Sequence, residues 1–177
     1  MTLAFVAILA TLMLPEEILA IPLSVVLADL PVVHVNLIGS LAGMIVPVGA
    51  WAFSILVMTE FMKEVPRELE EAARIDGARE LSIFLRIMVP LSRPIMLTLA
   101  ILSFQWRWND YIWPLLMLND PNKFTVQIGI QSIVGAQNIN WSVLLGASVI
   151  SMIPLIAIFL VFQRYVMGAD INAGLKD

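Results

Sequence analysis

The stretch VLLGASVISMIPLIAIFLVF, residues 143–162, carries no charge and decides what kind of fold this chain can adopt. About 20 apolar residues in a helix cross the hydrocarbon core of a bilayer. The whole chain of 177 residues is 60% hydrophobic and 14% charged, whereas soluble domains carry about a quarter charged residues. The sequence therefore predicts an all-α, polytopic transmembrane helix bundle, with residues 143–162 as its last span.

Three more apolar stretches bring the predicted number of spans to about four. Residues 37–58 contain Pro47, and residues 95–118 form the third span. Residues 1–28 are interrupted by Pro15 and Pro22, so they form either one kinked span or a span followed by a short surface helix. The chain starts directly inside this stretch, without a charged leader, which leads us to expect the later part of a longer protein.

Lysine and arginine set the expected orientation, because cytoplasmic loops are enriched in both. Six of them lie between the second and third spans: Lys63, Arg67, Arg74, Arg79, Arg86 and Arg93. Arg164 and Lys176 follow the last span, whereas the opposite loops hold only Lys123. We therefore expect residues 59–94 and the C-terminus to be cytoplasmic and residues 29–36 and 119–141 to face outward. Trp113 and Trp141 then fall near the outer interface, where indole rings act as anchors.

The cytoplasmic segment begins with a predicted charged helix. Pro66 suits the first helical position, and the glutamates after it suit the positive end of a helix. Glu70 and Arg74 form a favourable i,i+4 pair. Leu69, Ala72, Ala73 and Asp76 share one face, and the small alanines leave it shallow. Gly77 permits a turn, after which Leu81, Phe84, Leu85 and Met88 recur at helical spacing.

Two interpretations of this segment remain open. A helix lying on the bilayer is one, but such helices are rich in lysine and arginine. Residues 59–94 hold seven acidic and six basic residues. Mixed charge around a centre of small residues favours the second interpretation, a docking site for another protein.

The residues of this segment resemble a known motif. Residues 71–78 read EAARIDGA, followed by Ile87 and Pro90, and this pattern is similar to the EAA loop of ABC-importer permeases. WNDYIWPLL (Trp108 to Leu116), FQRYVMG (Phe162 to Gly168) and the final AGLKD resemble the carbohydrate-importer permeases of the maltose-type inner subunit. That family has six spans, and this chain corresponds to the last four.

The resemblance implies an architecture and a set of partners. It implies one permease domain, residues 1–177, in the plasma (inner) membrane of a prokaryote, with a coupling loop at 59–94 and an extracytoplasmic loop at 119–141. The partners would be a cytoplasmic ABC ATPase dimer, a second permease subunit, an extracytoplasmic solute-binding protein and membrane lipid. Glu71 would contact the ATPase, Ala72 and Ala73 would allow close seating, Asp76 would orient the second half, and Gly77, followed by Ala78, would form the bend.

A polar cluster lies inside the third predicted span. Arg107 and Asp110 are spaced to pair on one helix face, with Trp108 and Asn109 beside them and Trp106 and Tyr111 nearby. Ionisable residues at membrane depth usually face a cavity or each other. The cluster is thus a candidate for the translocation path of a sugar, or else it stabilises packing near the outer interface.

The remaining polar features carry less information. Glu16 and Glu17 either face a pore or lie outside the membrane, and His34 is expected at the surface. Residues 119–141 either meet the binding protein or lie at the interface. No arrangement for catalysis, no metal site, no cofactor site and no phosphate-binding glycine loop is predicted, and a net charge of −4 argues against nucleic acid.

The sequence therefore predicts a non-enzymatic permease subunit for a sugar or sugar-like solute, with ATP hydrolysed by a partner. The alternatives are a truncated, non-transporting relic or membrane scaffold, a permease for a non-sugar solute, and a secondary transporter. The last would need a buried ion-coupling carboxylate, for which Asp110 is the candidate.

Overall fold

The computed structural model describes residues 3–31 and 34–171, and their side chains except those of Ala4 and residues 164–171. These residues form helices and turns without any strand, which confirms the predicted all-α fold. The α-helices are α1 (Leu3–Thr11), α2 (Glu16–Ala28), α3 (Leu41–Ile45), α4 (Ala52–Glu64), α5 (Arg67–Ile75), α6 (Glu80–Ile83), α7 (Val89–Leu91), α8 (Arg93–Trp108), α9 (Ile112–Met117), α10 (Val126–Val134) and α11 (Trp141–Ile171).

Two short elements complete the described chain. A π-helical turn, Phe84–Met88, joins α6 to α7, so that the three run on as one helix, Glu80–Leu91. A 3-10 turn, Pro121–Lys123, precedes α10. The AGLKD tail with Lys176, residues 32–33 of the segment predicted to face outward and the first two residues lie outside the described residues, as do the side chains of the FQRYVMG motif from Arg164 on.

One described helix is long and apolar enough to cross a membrane by itself, Trp141–Gln163 within α11. Two bent pairs satisfy the same criteria of length and composition when each pair counts as one span. They are Phe5–Thr11 with Glu16–Ala28, bent by 106°, and Glu80–Leu91 with Arg93–Trp108, bent by 68°. The described residues thus supply between one and three spans, and the count of about four stays a prediction.

The first predicted span divides at Pro15, which occupies the N-cap position of α2. A residue that precedes proline is pushed out of the helical region, and α1 ends before it, at Thr11. Pro22 lies inside α2 without ending it. A bend of 106° is too large for one kinked helix. Glu16 and Glu17 therefore occupy the first turn of a new helix, where carboxylates are favourable.

The next two predicted spans are also interrupted. Residues 37–58 contain α3 and the start of α4, separated at residues 46–51 around Pro47. The prediction of one helix over residues 95–118 is wrong, because α8 ends at Trp108 and α9 begins at Ile112. Pro114 has no N–H for the carbonyl of Asp110, and Asp110 Oδ1 instead accepts the N–H of Trp113 at 3.3 Å. Both effects start a new helix at this point.

The chain divides into two compact units, which we describe separately. The first comprises the chain up to Ala52 and Gln105–Ala157, and its core consists of Ala20, Leu27, Trp113 and Met117. Trp113 is only 6% exposed, and its Nε1 donates to the carbonyl of Met44 at 3.2 Å. The prediction that Trp113 is an interface anchor is therefore wrong, because a buried indole with a satisfied N–H contributes to the core. Trp141 is exposed, as an anchor must be.

Close packing in this core requires one glycine. A Cβ on Gly43 would collide with the carbonyl oxygen of Leu37 and with the terminal methyl of Met117. The nearby Gly39 N–H donates to the Met117 carbonyl at 2.7 Å. The backbone around α3 therefore lies directly against α9, which a larger side chain at residue 43 would prevent.

The second unit comprises Phe53–Phe104 and the chain from Ile158 onward. Its buried residues include Ile83, Met88 and Ser92. In an α-helix, residues five apart point about 140° away from each other. The π turn adds one residue, with the Val89 N–H donating to the Phe84 carbonyl, and so keeps Ile83 and Met88 on one side.

The π turn also divides the predicted second apolar face. Met88 is buried, whereas Leu81, Phe84 and Leu85 are 68%, 44% and 55% exposed. The prediction of one shared face is therefore wrong for Met88, because the spacing assumed an uninterrupted α-helix. Two apolar sides result, one covered within the unit and one uncovered.

Candidate functional site

The charged segment folds into an exposed helix, α5, close to the predicted position. Pro66 occupies the N-cap position, with φ −57° and ψ 127°, so the helix begins one residue later than predicted, at Arg67. Glu68 and Glu70 lie in its first turn, where carboxylates stabilise the positive helix end. No residue of α5 is buried. The side chains of α5 are therefore accessible to solvent or to another protein.

The second half of the EAARIDGA motif forms the end of α5. The Ala78 N–H donates to the Ala73 carbonyl at 2.9 Å, and the Gly77 N–H donates to the Arg74 carbonyl at 3.0 Å. These two bonds are those of a Schellman motif, whose residue after the C-cap is left-handed. Gly77 has φ +80°, and a Cβ there would meet nothing within 4 Å. Conformation rather than space therefore requires glycine at this position.

The motif residues gather at one accessible helix end. Ala72 is exposed, and Ala73 and Ala78 are half-buried. Glu71 and Asp76 are exposed, and the backbone N–H of Asp76 donates to the Ala72 carbonyl at 3.0 Å. The structure thus brings together all six residues that the motif singles out. The alanines have small side chains and Gly77 has none, so little side-chain volume covers the backbone at this end of α5.

Arg74 ties α5 to the helix that follows the turn. Its Nε and Nη2 donate to the two carboxylate oxygens of Glu80 at 2.7 and 3.2 Å, and Nη2 also lies 3.4 Å from Glu70 Oε2. The predicted Glu70–Arg74 pair is therefore confirmed, whereas Glu80 was not predicted. The hydrogen bond and charge of Glu80 raise the pKa of Arg74, and the hydrogen bond from Arg74 lowers the pKa of Glu80.

A shallow cavity of about 390 Å³ lies beside the first turns of α5. Charged side chains from α4 and α5 mix with two apolar ones around it. Its lining consists of Met62, Lys63, Val65, Arg67, Glu70, Glu71 and Arg74. The contribution of Met62 and Val65 could not be predicted from the sequence, because they precede the motif and reach the cavity only after the chain turns at Pro66.

A second ion cluster lies in the other unit, around Arg107. Its Nη1 donates to Asp110 Oδ2 at 3.1 Å, which confirms the predicted pair, and its Nη2 donates to Glu16 Oε2 at 3.2 Å. The three side chains are 31%, 17% and 48% exposed, in the order Arg107, Asp110, Glu16. Glu16 is thus a cluster member that the sequence did not identify, because no spacing rule links residues 91 positions apart.

Trp108 and Asn109 make different contacts. Trp108 Nε1 donates to the carbonyl of Ser151, in α11, at 2.9 Å. The amide of Asn109 donates to the Gln105 carbonyl at 2.9 Å and accepts from Gln127 at 3.5 Å. Both residues therefore take part in packing and helix ending. They share the end of α8 with the Arg107 cluster but point elsewhere.

Three consecutive residues at the end of α8 thus reach three separate segments. Trp106 contacts Trp51, with ring centroids 6.0 Å apart and planes tilted by 34°. Arg107 reaches Glu16 in α2, and Trp108 reaches Ser151 in α11. Successive helix residues point about 100° apart, which is why one turn can contact three neighbours. The end of α8 thus connects three segments of the first unit.

The segments that were predicted to face outward contain short, capped elements. Asp120 Oδ1 accepts the Asn122 N–H at 3.0 Å, and Thr125 Oγ1 accepts the Ile128 N–H at 3.5 Å. A helix, α10, therefore occupies the middle of the 119–141 loop. His34 is exposed as predicted, and its Nδ1 lies 3.1 Å from Asp29 Oδ1.

Residues 2–167 match the family model described as "Binding-protein-dependent transport system inner membrane component". The chain is 34% identical over 172 residues to the arabinooligosaccharides transport system permease protein AraQ of Halalkalibacterium halodurans, covering 97% of this chain and 60% of that protein. It is 36% identical over 162 residues to the sn-glycerol-3-phosphate transport system permease protein UgpE of Salmonella typhi, covering 90% and 56%.

A solved structure is similar as well. It is the crystal structure of a bacterial ABC transporter involved in the import of the acidic polysaccharide alginate, with a TM-score of 0.69 and 28% identity. The similarity covers 82% of this chain and 55% of that one. This chain thus spans somewhat more than half the length of the relatives it matches.

Proposed function

Because the chain belongs to the family of binding-protein-dependent transport system inner membrane components, we propose that it serves as a permease subunit of an ABC importer. Its solute would be a sugar or sugar-like molecule, as the names of its relatives suggest. The observation that carries the proposal is the EAARIDGA motif on an exposed helix that ends in a left-handed glycine. A soluble ATPase subunit can dock on a helix end only if that end is exposed and holds a fixed conformation.

The motif residues have distinct proposed roles in contact with the ATPase. Glu71, exposed and beside the cavity, makes the polar contact. Ala72 and Ala73 let the partner approach the α5 backbone, and Asp76, Gly77 and Ala78 fix the end of the helix. ATP is hydrolysed in the partner dimer, and its closure moves α5 together with the Glu80–Leu91 helix, to which Arg74 ties it.

Arg107, Trp108, Asn109 and Asp110 are proposed as part of the translocation path. They lie at the end of α8, where half-buried polar groups and aromatic rings meet. A few oriented polar groups among flat apolar rings suit a carbohydrate. A second permease subunit supplies the opposite wall, and an extracytoplasmic binding protein delivers the solute near the 119–141 loop.

The proposed orientation places residues 59–94 and the C-terminus in the cytoplasm of a prokaryote, on the side where basic residues accumulate. A secondary transporter would instead need an ion-coupling carboxylate that is free to exchange its partner. Asp110 accepts from Arg107 and from the Trp113 N–H. That double engagement favours an anchored carboxylate and hence the importer.

Purification with the ATPase subunit tests the coupling role. Gly77→Val forces a β-branched residue into φ +80°, so we expect loss of ATPase binding and of uptake. Gly77→Asn tolerates the left-handed conformation better and should retain more of both. Gly129→Val, at another glycine with open space, is the matched control. Full binding and uptake by both Gly77→Val and Glu71→Lys would overturn the coupling role.

A further inference from the structure

The Glu80–Leu91 helix carries an uncovered apolar side next to a set of arginines. Leu81, Phe84 and Leu85 lie within one helical turn of each other, on the side away from buried Ile83. Three exposed arginines are Arg86 on this helix, Arg79 just before it and Arg93 at the start of α8. Among the described side chains these three arginines form no ion pair.

Charge is unevenly distributed along the cytoplasmic segment. Residues 59–78 hold six acidic and three basic residues, whereas residues 79–94 hold one acidic and three basic residues. The single acid of the second half, Glu80, is engaged by Arg74. No further acidic residue occurs before Asp110. The apolar side chains of this helix are thus accompanied by unneutralised positive charge.

The direction of the helix is also informative. It is bent by 68° from α8. A bend of this size separates the directions of the two helices, so the Glu80–Leu91 helix need not follow α8 into the bilayer. An uncovered apolar side with exposed arginines near it is a feature of helices that lie at a membrane interface.

We propose that the Glu80–Leu91 helix lies on the cytoplasmic leaflet, with Leu81, Phe84 and Leu85 at the acyl boundary and Arg79, Arg86 and Arg93 on anionic lipid phosphates. The inference rests on the cytoplasmic orientation proposed above. The two interpretations of residues 59–94, a protein docking site and a helix lying on the bilayer, then apply to its first and second half. The acidic α5 faces the ATPase subunit, and the helix after Gly77 binds lipid.

The sequence contains no cysteine, so a label on an introduced cysteine reports on that position alone. Leu85→Cys and, as a second position, Leu81→Cys would carry a spin label in the full chain, reconstituted in vesicles of phosphatidylethanolamine and phosphatidylglycerol. We expect collisions with oxygen and protection from an aqueous nickel complex. Ala72→Cys, exposed on α5, is the control and should show the reverse. Equal nickel accessibility at residues 72, 81 and 85 overturns the proposal.

Lipid charge tests the arginines. Each arginine near an anionic leaflet contributes about 1 kcal/mol, so removing one should shift the local equilibrium toward water roughly five-fold. We expect Arg79→Gln, Arg86→Gln and Arg93→Gln to lower protection at residue 85, as should vesicles of phosphatidylcholine alone. Arg67→Gln, an exposed arginine on α5, is the control. Unchanged protection in all these cases overturns the role of the phosphates.

Two further outcomes separate this inference from the function it rests on. Protection of residue 85 only after the ATPase subunit is added would show a protein docking face, overturning lipid binding while leaving the importer function intact. Labelling of Ala72→Cys by a membrane-impermeant thiol reagent from the outside of cells would overturn the orientation itself. Protection without the ATPase, with residue 72 reached only from inside, supports the inference.

Discussion

Arg74 and Arg107 each hold two carboxylates, one close in sequence and one distant. Arg74 contacts Glu70, four residues before it, and Glu80, across the Gly77 turn. Arg107 contacts Asp110, three residues after it, and Glu16, 91 residues before it. The two clusters share their chemistry but differ in burial, because the Arg74 side chain is 48% exposed and that of Arg107 31%.

That difference in burial gives the two clusters different roles. Water and salt screen the charges around Arg74. Its contacts with Glu80 therefore favour the turn at Gly77 but contribute little to the stability of the fold. Asp110, only 17% exposed, has less water to replace a lost arginine. Removing Arg107 therefore leaves Asp110 as a half-buried charge without its main partner. The Arg107 cluster is therefore the one whose loss should affect the stability of the chain.

The largest expected effect comes from Arg107→Gln. Charged hydrogen bonds contribute about 2 kcal/mol, and this substitution removes those to Asp110 and Glu16. We expect a lower temperature of thermal unfolding in detergent. Arg74→Gln is the matched control and should lower it much less, since both of its carboxylates can be hydrated. Equal shifts for the two variants would contradict the difference in burial.

A smaller effect distinguishes the two carboxylates of the Arg107 cluster. Asp110→Asn keeps the oxygen that accepts the Trp113 N–H but removes the charge next to Arg107. We expect it to cost about 1 kcal/mol, and Glu16→Gln, at a more exposed carboxylate, to cost less. The same unfolding measurement compares them. A larger loss for Glu16→Gln would mean that the distant contact is the stronger one.

The smallest effect is the pH dependence of the Arg74–Glu80 contact. The hydrogen bond from Arg74 lowers the pKa of Glu80 from 4.5, so its contribution is present above that pH and is lost as the pH falls through the lowered value. The pKa of Arg74 is raised by Glu80, so the charge of Arg74 stays constant at all working pH values. We expect carbon-detected NMR to give a lower midpoint for Glu80 than in the Arg74→Gln variant.

The control for this titration is the Glu70 side chain, which Arg74 contacts at the longer distance of 3.4 Å. Its chemical shift reports whether Arg74 stays in place while Glu80 is protonated. An unchanged Glu80 midpoint in Arg74→Gln would show that the bidentate contact does not persist in solution.

Much of the fold followed from the sequence because it depends on local rules. Apolar length predicted helices, a break at Pro15 was one of two alternatives, and the EAARIDGA motif predicted a helix with a turn at Gly77. The interruption around Pro47 was not predicted, because prolines are tolerated within membrane spans. The break at Asn109–Tyr111 was missed, since Asp110 was considered only as a partner of Arg107 and not as an acceptor for the Trp113 N–H. The buried position of Trp113 was missed because an indole suits both an interface and a core.

The contacts of Arg74 and Arg107 show which features the sequence predicts and which depend on the tertiary structure. The sequence by itself determined Glu70–Arg74 and Arg107–Asp110, because residues three or four apart are neighbours on a helix surface. Only the tertiary structure decided that Glu80 and Glu16 complete the clusters. The left-handed Gly77 brings the first to Arg74, and the packing of distant segments within one unit brings the second to Arg107. Such distances depend on where whole helices pack, which no spacing along the chain encodes.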